Sequence, residues 1–575
     1  QEDGITKVNY IGWGEKMTFD KAFEILDNLH PSAYNDATYE GQPRNTKNKF
    51  EQHLYTAGLD LTMPVTFSKD ITATFKGGGK FVRTVRDNDF TTAFNASNDP
   101  DLYTTVKDFF PGNLRDENHR LRFTDVMGSF ERGETFLSSE YDFKNGFNHV
   151  VNTDIFDEWL LQSMKGWTPV VKEDDCYKDD YNGSEAFTAA YLMGTFNIFS
   201  KLTILGGFRY ELYNMKYRAE LTVVTHNVYG NANSTQAGQY QNVPKDYYNV
   251  DRNDENIFPN LQIRYKATDW LDLRVAYTEG ISRPDYLSIV PKIYLFISGG
   301  QIEVGNPKLR PTTARNLDFI ASIYNNEIGL FTVNAFYKEL TDVSYVTSFN
   351  YANTNLLGEN DAFIPDSAFI TNYIGGALPS KGATVNITYN NPNTGYVRGV
   401  ELDWQTNFWY LPGVLSSLVL DVNYTRSSSN MEYRKIVPIT ITIPRRPPIY
   451  TAKDTTFSGR LTQQAKDVIN VSLGFDYKGF SSRMSFNMRG DVLNSVGSRP
   501  EETSYTGNIY KWDLTVKQEL PIPGFSVSLN GVNIFHNGVK TYRNFKRTAD
   551  GPVTETLTNI FYSPTIWQLA LRYNY

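Results

Sequence analysis

The residue types able to do chemistry are scattered along this chain. His30, His53, His119, His149, His226 and His536 stand far apart, without the two-histidine or histidine-plus-carboxylate spacing of a zinc site. Ser, Asp and His occur with no G-x-S-x-G elbow leading into a helix, so a nucleophilic triad has no frame to sit on. The pattern points away from an enzyme and calls for no cofactor. The run KEDDCYKDDYNG (172–183) gathers Asp174, Asp175, Asp179 and Asp180, hard oxygens of the kind that calcium takes in sets of six to eight. It lacks the ordered spacing of an EF-hand, and a solvated acidic loop is the simpler reading. Cys176 inside it is the single cysteine, which rules out an internal disulfide framework.

Binding chemistry is better represented. Trp159, Trp167, Tyr177, Tyr181, Tyr229, Tyr247 and Tyr248 fall in polar stretches, where a ring with an apolar face and a polar tip suits stacking on sugars or apolar peptide groups. Such rings also pack loops against themselves. PITITIPRRPPIY (438–450) carries Arg445 and Arg446, whose guanidiniums could take a carboxylate or phosphate of an anionic cargo bidentately, although a stiff proline-rich loop accounts for them too. The net charge of -8 and a pI near 5.5 argue against nucleic acid as a partner, since a basic patch would be expected.

The elements that must carry these residues are strands. In SPTIWQLALRYNY (563–575), Trp567, Leu569, Leu571, Tyr573 and Tyr575 share one face, with Ile566, Gln568, Ala570, Arg572 and Asn574 on the other, the period of two that defines a strand. The mean hydropathy is -0.44, and no run reaches the roughly 20 apolar residues of a spanning helix. A transmembrane barrel needs none, because only every second residue meets lipid and strand pairing satisfies the backbone. The aromatic fraction of 14 %, with 38 Tyr and 37 Phe, suits the girdles of rings at two lipid–water boundaries.

Period-2 reading yields about seven hairpins plus the terminal strand, or about 15 strands. In NLQIRYKATDWLDLRVAYTEG (260–280), Leu261, Ile263 and Tyr265 oppose Gln262, Arg264 and Lys266, and after a turn Leu271, Leu273, Val275 and Tyr277 oppose Asp272, Arg274 and Thr278. Similar pairs lie at 54–85, 187–213, 314–338, 396–426, 468–489 and 510–535. Long polar segments separate them, at 86–186, 214–256, 281–311, 339–395, 427–467 and 536–562. Barrels keep periplasmic turns short and extracellular loops long, and loops of such length are uncommon unless functional, so one rim is expected to be a recognition surface. The segment 1–53 is expected to be N-terminal barrel or loop sequence, with a short helix over MTFDKAFEILDNL (17–29), and 54–575 the barrel. QEDGITKVNY is no signal peptide, so a mature or truncated chain is expected.

Three segments go beyond generic barrel physics: ENIFPNLQIRYKATDWLDLRVAYTEGISRPDY, ending at Tyr286; GNPKLRPTTARNLDF (305–319); and GYVRGVELDWQTNFWYLPG (395–413). Their motifs, in this order before an aromatic C-terminus, resemble the TonB-dependent receptors over about residues 50–575. The resemblance implies an all-β transmembrane barrel of about 22 strands, energised import of a bulky solute (glycan, peptide or metal chelate), and a plug that rearranges when TonB pulls on it. The implied partners are outer-membrane lipids, TonB with its ExbB and ExbD motor, and a surface lipoprotein or other subunits. The implied location is the outer membrane of a Gram-negative bacterium. No plug-sized segment precedes residue 54, so plug and TonB box are expected in sequence upstream of Gln1. A plugless structural or binding subunit and a passive porin are the alternatives. In SRPDY, Pro284 ends the ladder while Arg283 and Asp285 hold the rim or touch ligand. In GNPKLRP, Gly305, Asn306, Pro307 and Pro311 shape a turn.

Overall fold

The structure is a computed structural model that describes residues 44–94, 127–129, 149–151, 170–171, 180–219, 222–224, 236–237, 249–290, 293–296, 301–350, 384–441, 449–496, 503–535, 537–546 and 552–574. The helix expected at 17–29 lies outside them. No helix among the described residues is long and apolar enough to cross a membrane.

Fifteen strands follow one another across a single wall: β1 (Arg44–Thr66), β2 (Ile71–Phe94), β3 (Tyr181–Ile198), β4 (Leu202–Ala219), β5 (Asn249–Thr268), β6 (Leu271–Ser282), β7 (Thr312–Asn325), β8 (Gly329–Thr341), β9 (Gly395–Asn407), β10 (Leu418–Ile441), β11 (Asp467–Tyr477), β12 (Phe480–Arg489), β13 (Ile509–Glu519), β14 (Phe525–Val532) and β15 (Ile566–Tyr573). Each pairs with its neighbour in sequence, antiparallel from β2 onward. Across β5 and β6, Ile263 faces Val275 and Leu261 faces Tyr277, so the apolar sets expected on each strand share one face. The first strand starts at Arg44, earlier than the alternation suggested. β1 and β15 both run from the long-connection end to the short-turn end. Neither has a strand partner on its outer edge among the described residues.

One face of the wall is apolar and exposed. Leu192, Phe208, Ile257, Leu261, Val275, Leu317, Phe319, Val400, Leu473, Leu569 and Leu571 are exposed on it, and burying that area in lipid would stabilise the wall by about 25 cal/mol per Å². Exposed rings bracket the apolar band: Tyr337, Tyr396 and Tyr510 toward the long connections, and Tyr265, Trp270, Tyr477 and Tyr573 toward the short turns. On β9, Tyr396 and Trp404 are eight residues apart, which at a rise of about 3.3 Å and a tilt of about 40° is ~20 Å along the membrane normal.

Short turns join the hairpins at one end. Phe199 and Ser200 (φ 50° and 55°) and Lys478 and Gly479 (φ 45° and 80°) have left-handed backbones, the geometry whose twist matches a two-residue hairpin.

The described parts of the long connections include short strands of their own. Thr222–Val224, Gln236–Ala237, Ile293–Phe296, Gln301–Val304, Ser344–Asn350 and Thr384–Asn390, from three successive connections, form one rim sheet. It includes the parallel pairings Tyr294–Thr222 and Gln301–Thr384. Val492–Val496, Thr503–Thr506, Gly538–Lys546 and Val553–Tyr562 form a second. β10 continues past the wall to pair its residues 431–441 with 449–459. The chain also divides into two compact units, Gln1–Asn48 with Phe90–Cys176, and Lys49–Asp89 with Tyr177–Tyr575. In the first, Met127–Ser129 pairs with His149–Val151.

Candidate functional site

Period two places Arg209, Glu211, Tyr213, Met215 and Tyr217 of β4 on the inner face. On β3 they meet Tyr191, Ala189, Phe187, Glu185 and Gly183 in register. Gly183 is required there, because a Cβ would sit 1.9 Å from the Tyr217 ring.

Across this inner face lies the segment that leaves β6. Pro284 has no N–H to continue a ladder, and the chain makes one short helix, α1 (Tyr286–Ile289). Ile289 packs with the buried Met215, Tyr217, Val250 and Leu309, and Val290 with Tyr181 and Ala219. The Tyr286 ring stands edge-on to Tyr181 at 4.6 Å and to Tyr217 at 4.5 Å, contacts worth about 0.5–1.5 kcal/mol each beyond burial.

One ion pair latches this strap, and a second braces its carboxylate within β4. Arg283 donates to Glu211 at 3.1 Å, and Arg209 to the same carboxylate at 2.6 Å. The Arg283 guanidinium lies 4.4 Å from the Tyr213 ring centroid and 5.5 Å from that of Phe187. Above it, Arg86 pairs with Glu185 at 2.8 Å and lies 5.0 Å from the Tyr286 ring centroid. The Tyr217 hydroxyl donates to Glu185 at 2.7 Å and accepts from Arg86 at 2.9 Å.

A cavity of about 450 Å³ opens beside the latch, lined in part by Tyr191, Arg209, Glu211, Asn260, Thr278 and Arg283. The buried Nε of Arg283 and Nδ2 of Asn256 are donors without partners, and Asn256 stands opposite Glu211 in the ladder. Three guanidiniums face two carboxylates here. The arrangement holds donors toward an acceptor group, which is binding chemistry.

The second motif clamps the rim. Asn306 is fully buried; its amide donates to the Thr388 carbonyl at 3.0 Å and its oxygen accepts from the Lys308 N–H at 3.1 Å. Asn390 accepts from the Arg310 N–H at 2.7 Å and donates to the carbonyls of Arg310 and Asp342 at 2.9 and 2.7 Å. Arg310 also pairs with Asp342 at 2.8 Å. These asparagines tie wall to rim sheet. Sequence reading gave Asn306 only a turn and passed over Asn390, because a lone Asn among polar residues carries no periodic signal.

Of the candidate residues, Arg283 enters the inner site. Asp285 is exposed and precedes α1, its carbonyl accepting from the Ser288 N–H at 3.0 Å. Tyr181 is buried beneath the strap, and Asp180 is half-buried just before β3. Trp159, Trp167, Tyr177, Tyr229, Tyr247, Tyr248, Arg445, Arg446, Asp174, Asp175 and Asp179 lie outside the described residues. Among the described residues no group of His, Cys, Asp and Glu could hold a metal ion.

Three solved structures illustrate the likeness. The closed form of the ferric-catecholate import receptor Fiu from K12 E. coli is 11 % identical, with a TM-score of 0.50, covering 92 % of this chain and 55 % of that one. The unliganded ferric citrate transporter FecA is 8 % identical (TM-score 0.47; 93 % of this chain, 56 % of that one). The siderophore receptor PiuA from Acinetobacter baumannii is 12 % identical (TM-score 0.47; 92 % and 56 %). The chain thus spans little more than half the length of these receptors. No curated protein matches it. The family described as TonB dependent receptor-like, beta-barrel matches residues 3–534. With that match laid over an antiparallel wall that has an apolar outer face and a charged inner one, the chain belongs to the TonB-dependent receptor β-barrel family.

Proposed function

We propose that this chain is the barrel of an outer-membrane receptor that imports a bulky solute, a glycan, peptide or metal chelate, by energised movement of a plug coupled to TonB, ExbB and ExbD. The observation that carries this reading is the rim. The long connections emerge at one end and weave into sheets above a latched, charged inner face, which suits capture outside followed by passage along the lumen. Trp159, Trp167, Tyr247, Tyr248, Arg445 and Arg446 are proposed as solute contacts, together with the donors around Arg283. A surface lipoprotein is a further proposed partner at that rim.

Cells carrying the protein, given candidate solutes, provide the test. The expected result is binding that survives collapse of the proton-motive force and accumulation that does not. Accumulation that continues without energy would make the protein a passive porin. Binding with no accumulation under any condition, from a purified protein whose intact mass equals the 65.6 kDa of this chain, would make it a structural or binding subunit.

A further inference from the structure

Charged side chains stand on the apolar outer face at the aromatic boundary. On β9 and β10, alternation puts Arg398 and Arg426 on the same outer face as the exposed Val400 and Tyr396. The Tyr396 ring stacks with Tyr337 at 6.1 Å, which marks this level as the boundary on the long-connection side. A guanidinium on a lipid-facing strand costs about 2–4 kcal/mol at the midplane but only about 0–1 near the interface. Arg398 and Arg426 are therefore placed at headgroup depth.

Their own partners leave charge to spare. Arg426 is 74 % exposed and reaches Asp467 only at 3.6 Å, while the Tyr424 hydroxyl takes that carboxylate at 2.9 Å. Arg398 is exposed. Both line a cavity of about 360 Å³ with Val400, Ser428, Gln464 and Lys466, and Arg460 also borders it. Arg460 and Lys466 share Asp491 at 2.9 and 3.3 Å. Four cations thus meet two carboxylates, Asp467 and Asp491. Arg315 supplies the contrast. It is also outward and exposed on β7, but it lies between Glu279 at 3.6 Å and Glu339 at 3.7 Å, which balance it.

We propose that Arg398 and Arg426 form a binding site for the phosphate of an outer-leaflet lipid headgroup. The inference rests on the reading that this face meets lipid. Guanidiniums take phosphate oxygens bidentately, and Ser428 and Lys466 add donors at the cavity wall. Directly below, the outward Val400, Leu402, Val422 and Val471 continue the site as an apolar track for acyl chains. A lipid satisfies both halves at once, whereas a soluble phosphate would use only the upper one.

The test is native mass spectrometry of the protein purified from outer membranes in detergent. The probes are diphosphorylated lipid A, the same lipid with its phosphates removed, and inorganic phosphate. The expected preference for the phosphorylated lipid is about tenfold, the equivalent of two partly exposed charge contacts. It should vanish in the double variant Arg398→Ala with Arg426→Ala, persist in part with Lys at both positions, and remain whole in Arg315→Ala. Equal binding of the two lipids, or an unchanged preference in the double alanine variant, would overturn the proposal. Displacement by millimolar inorganic phosphate would overturn it in favour of a soluble anion. If the alanine variant does not fold, the wild-type preference and the lysine variant decide. Uptake enters none of these readouts, so a failed lipid site leaves the transport reading standing, while binding of neither lipid would sink the assignment of this face to the bilayer.

Discussion

At the scale of single residues, the latch between Arg283 and Glu211 decides whether the strap stays on the inner face. Glu211 is nearly buried, and truncating Arg283 leaves it only Arg209. Arg283→Ala should cost about 1–2 kcal/mol, counting a charged hydrogen bond and a ring contact, and should quicken chymotrypsin cleavage after Tyr286 or Leu287. Unchanged cleavage would mean that Ile289 and Val290 hold the strap unaided. A second residue reports on the rim. Tyr433 on the projecting part of β10 is buried and donates to the Arg460 carbonyl at 2.7 Å, and burial pushes its phenol up to about 12. A raised pKa means that the fold favours the neutral form, so this contribution is whole below the ordinary value of about 10 and fades as pH rises through about 12. The late phase of a tyrosinate absorbance titration should lose one group in Tyr433→Phe.

At the scale of elements, the wall was legible because its signal repeats. Leu271, Leu273, Val275 and Tyr277 alternate with polar residues, and β6 carries that pattern into the sheet unchanged. The rim was not legible, because strands as short as Thr222–Val224 and Gln236–Ala237 pair only with residues far away in sequence and show no period of their own. Asn390 belongs to the same blind spot. Asn390→Leu removes its bonds to the Arg310 N–H and to the Arg310 and Asp342 carbonyls, the last of which keeps Thr312, and should cost about 2–4 kcal/mol, visible as lost protection from hydrogen exchange in Ser344–Asn350 and Thr384–Asn390. Turns show the same divide. Both the stretch from Phe199 to Lys201 and the pair Lys478 and Gly479 read as turns in the sequence, but only the glycine advertises a left-handed backbone, which Phe199 and Ser200 adopt too. Ser200→Gly should therefore stabilise the hairpin by about 0.5–1 kcal/mol, raising the midpoint of denaturation, and a lowered midpoint would mean that the hydroxyl carries a contact of its own.

At the scale of the whole molecule, the family match and the wall agree on a barrel, while the inner site was legible through Arg283 and Tyr181 but not through its acidic residues, which read as ordinary lumen-facing side chains. The directions of the two terminal strands set a test of their own. With Cys176 replaced by Ser, cysteines at Leu529 and Leu569, opposite one another on β14 and β15, should cross-link readily, whereas cysteines at Leu61 on β1 and Leu569 on β15 should not. Efficient bridging of the second pair would mean that β1 and β15 close on each other in parallel. If they do not, the count of strands acquires a parity. Two edges that point the same way can be joined by an antiparallel ladder only through an odd number of further strands, so the ring completed around this wall has an even total, whichever segment supplies the remainder.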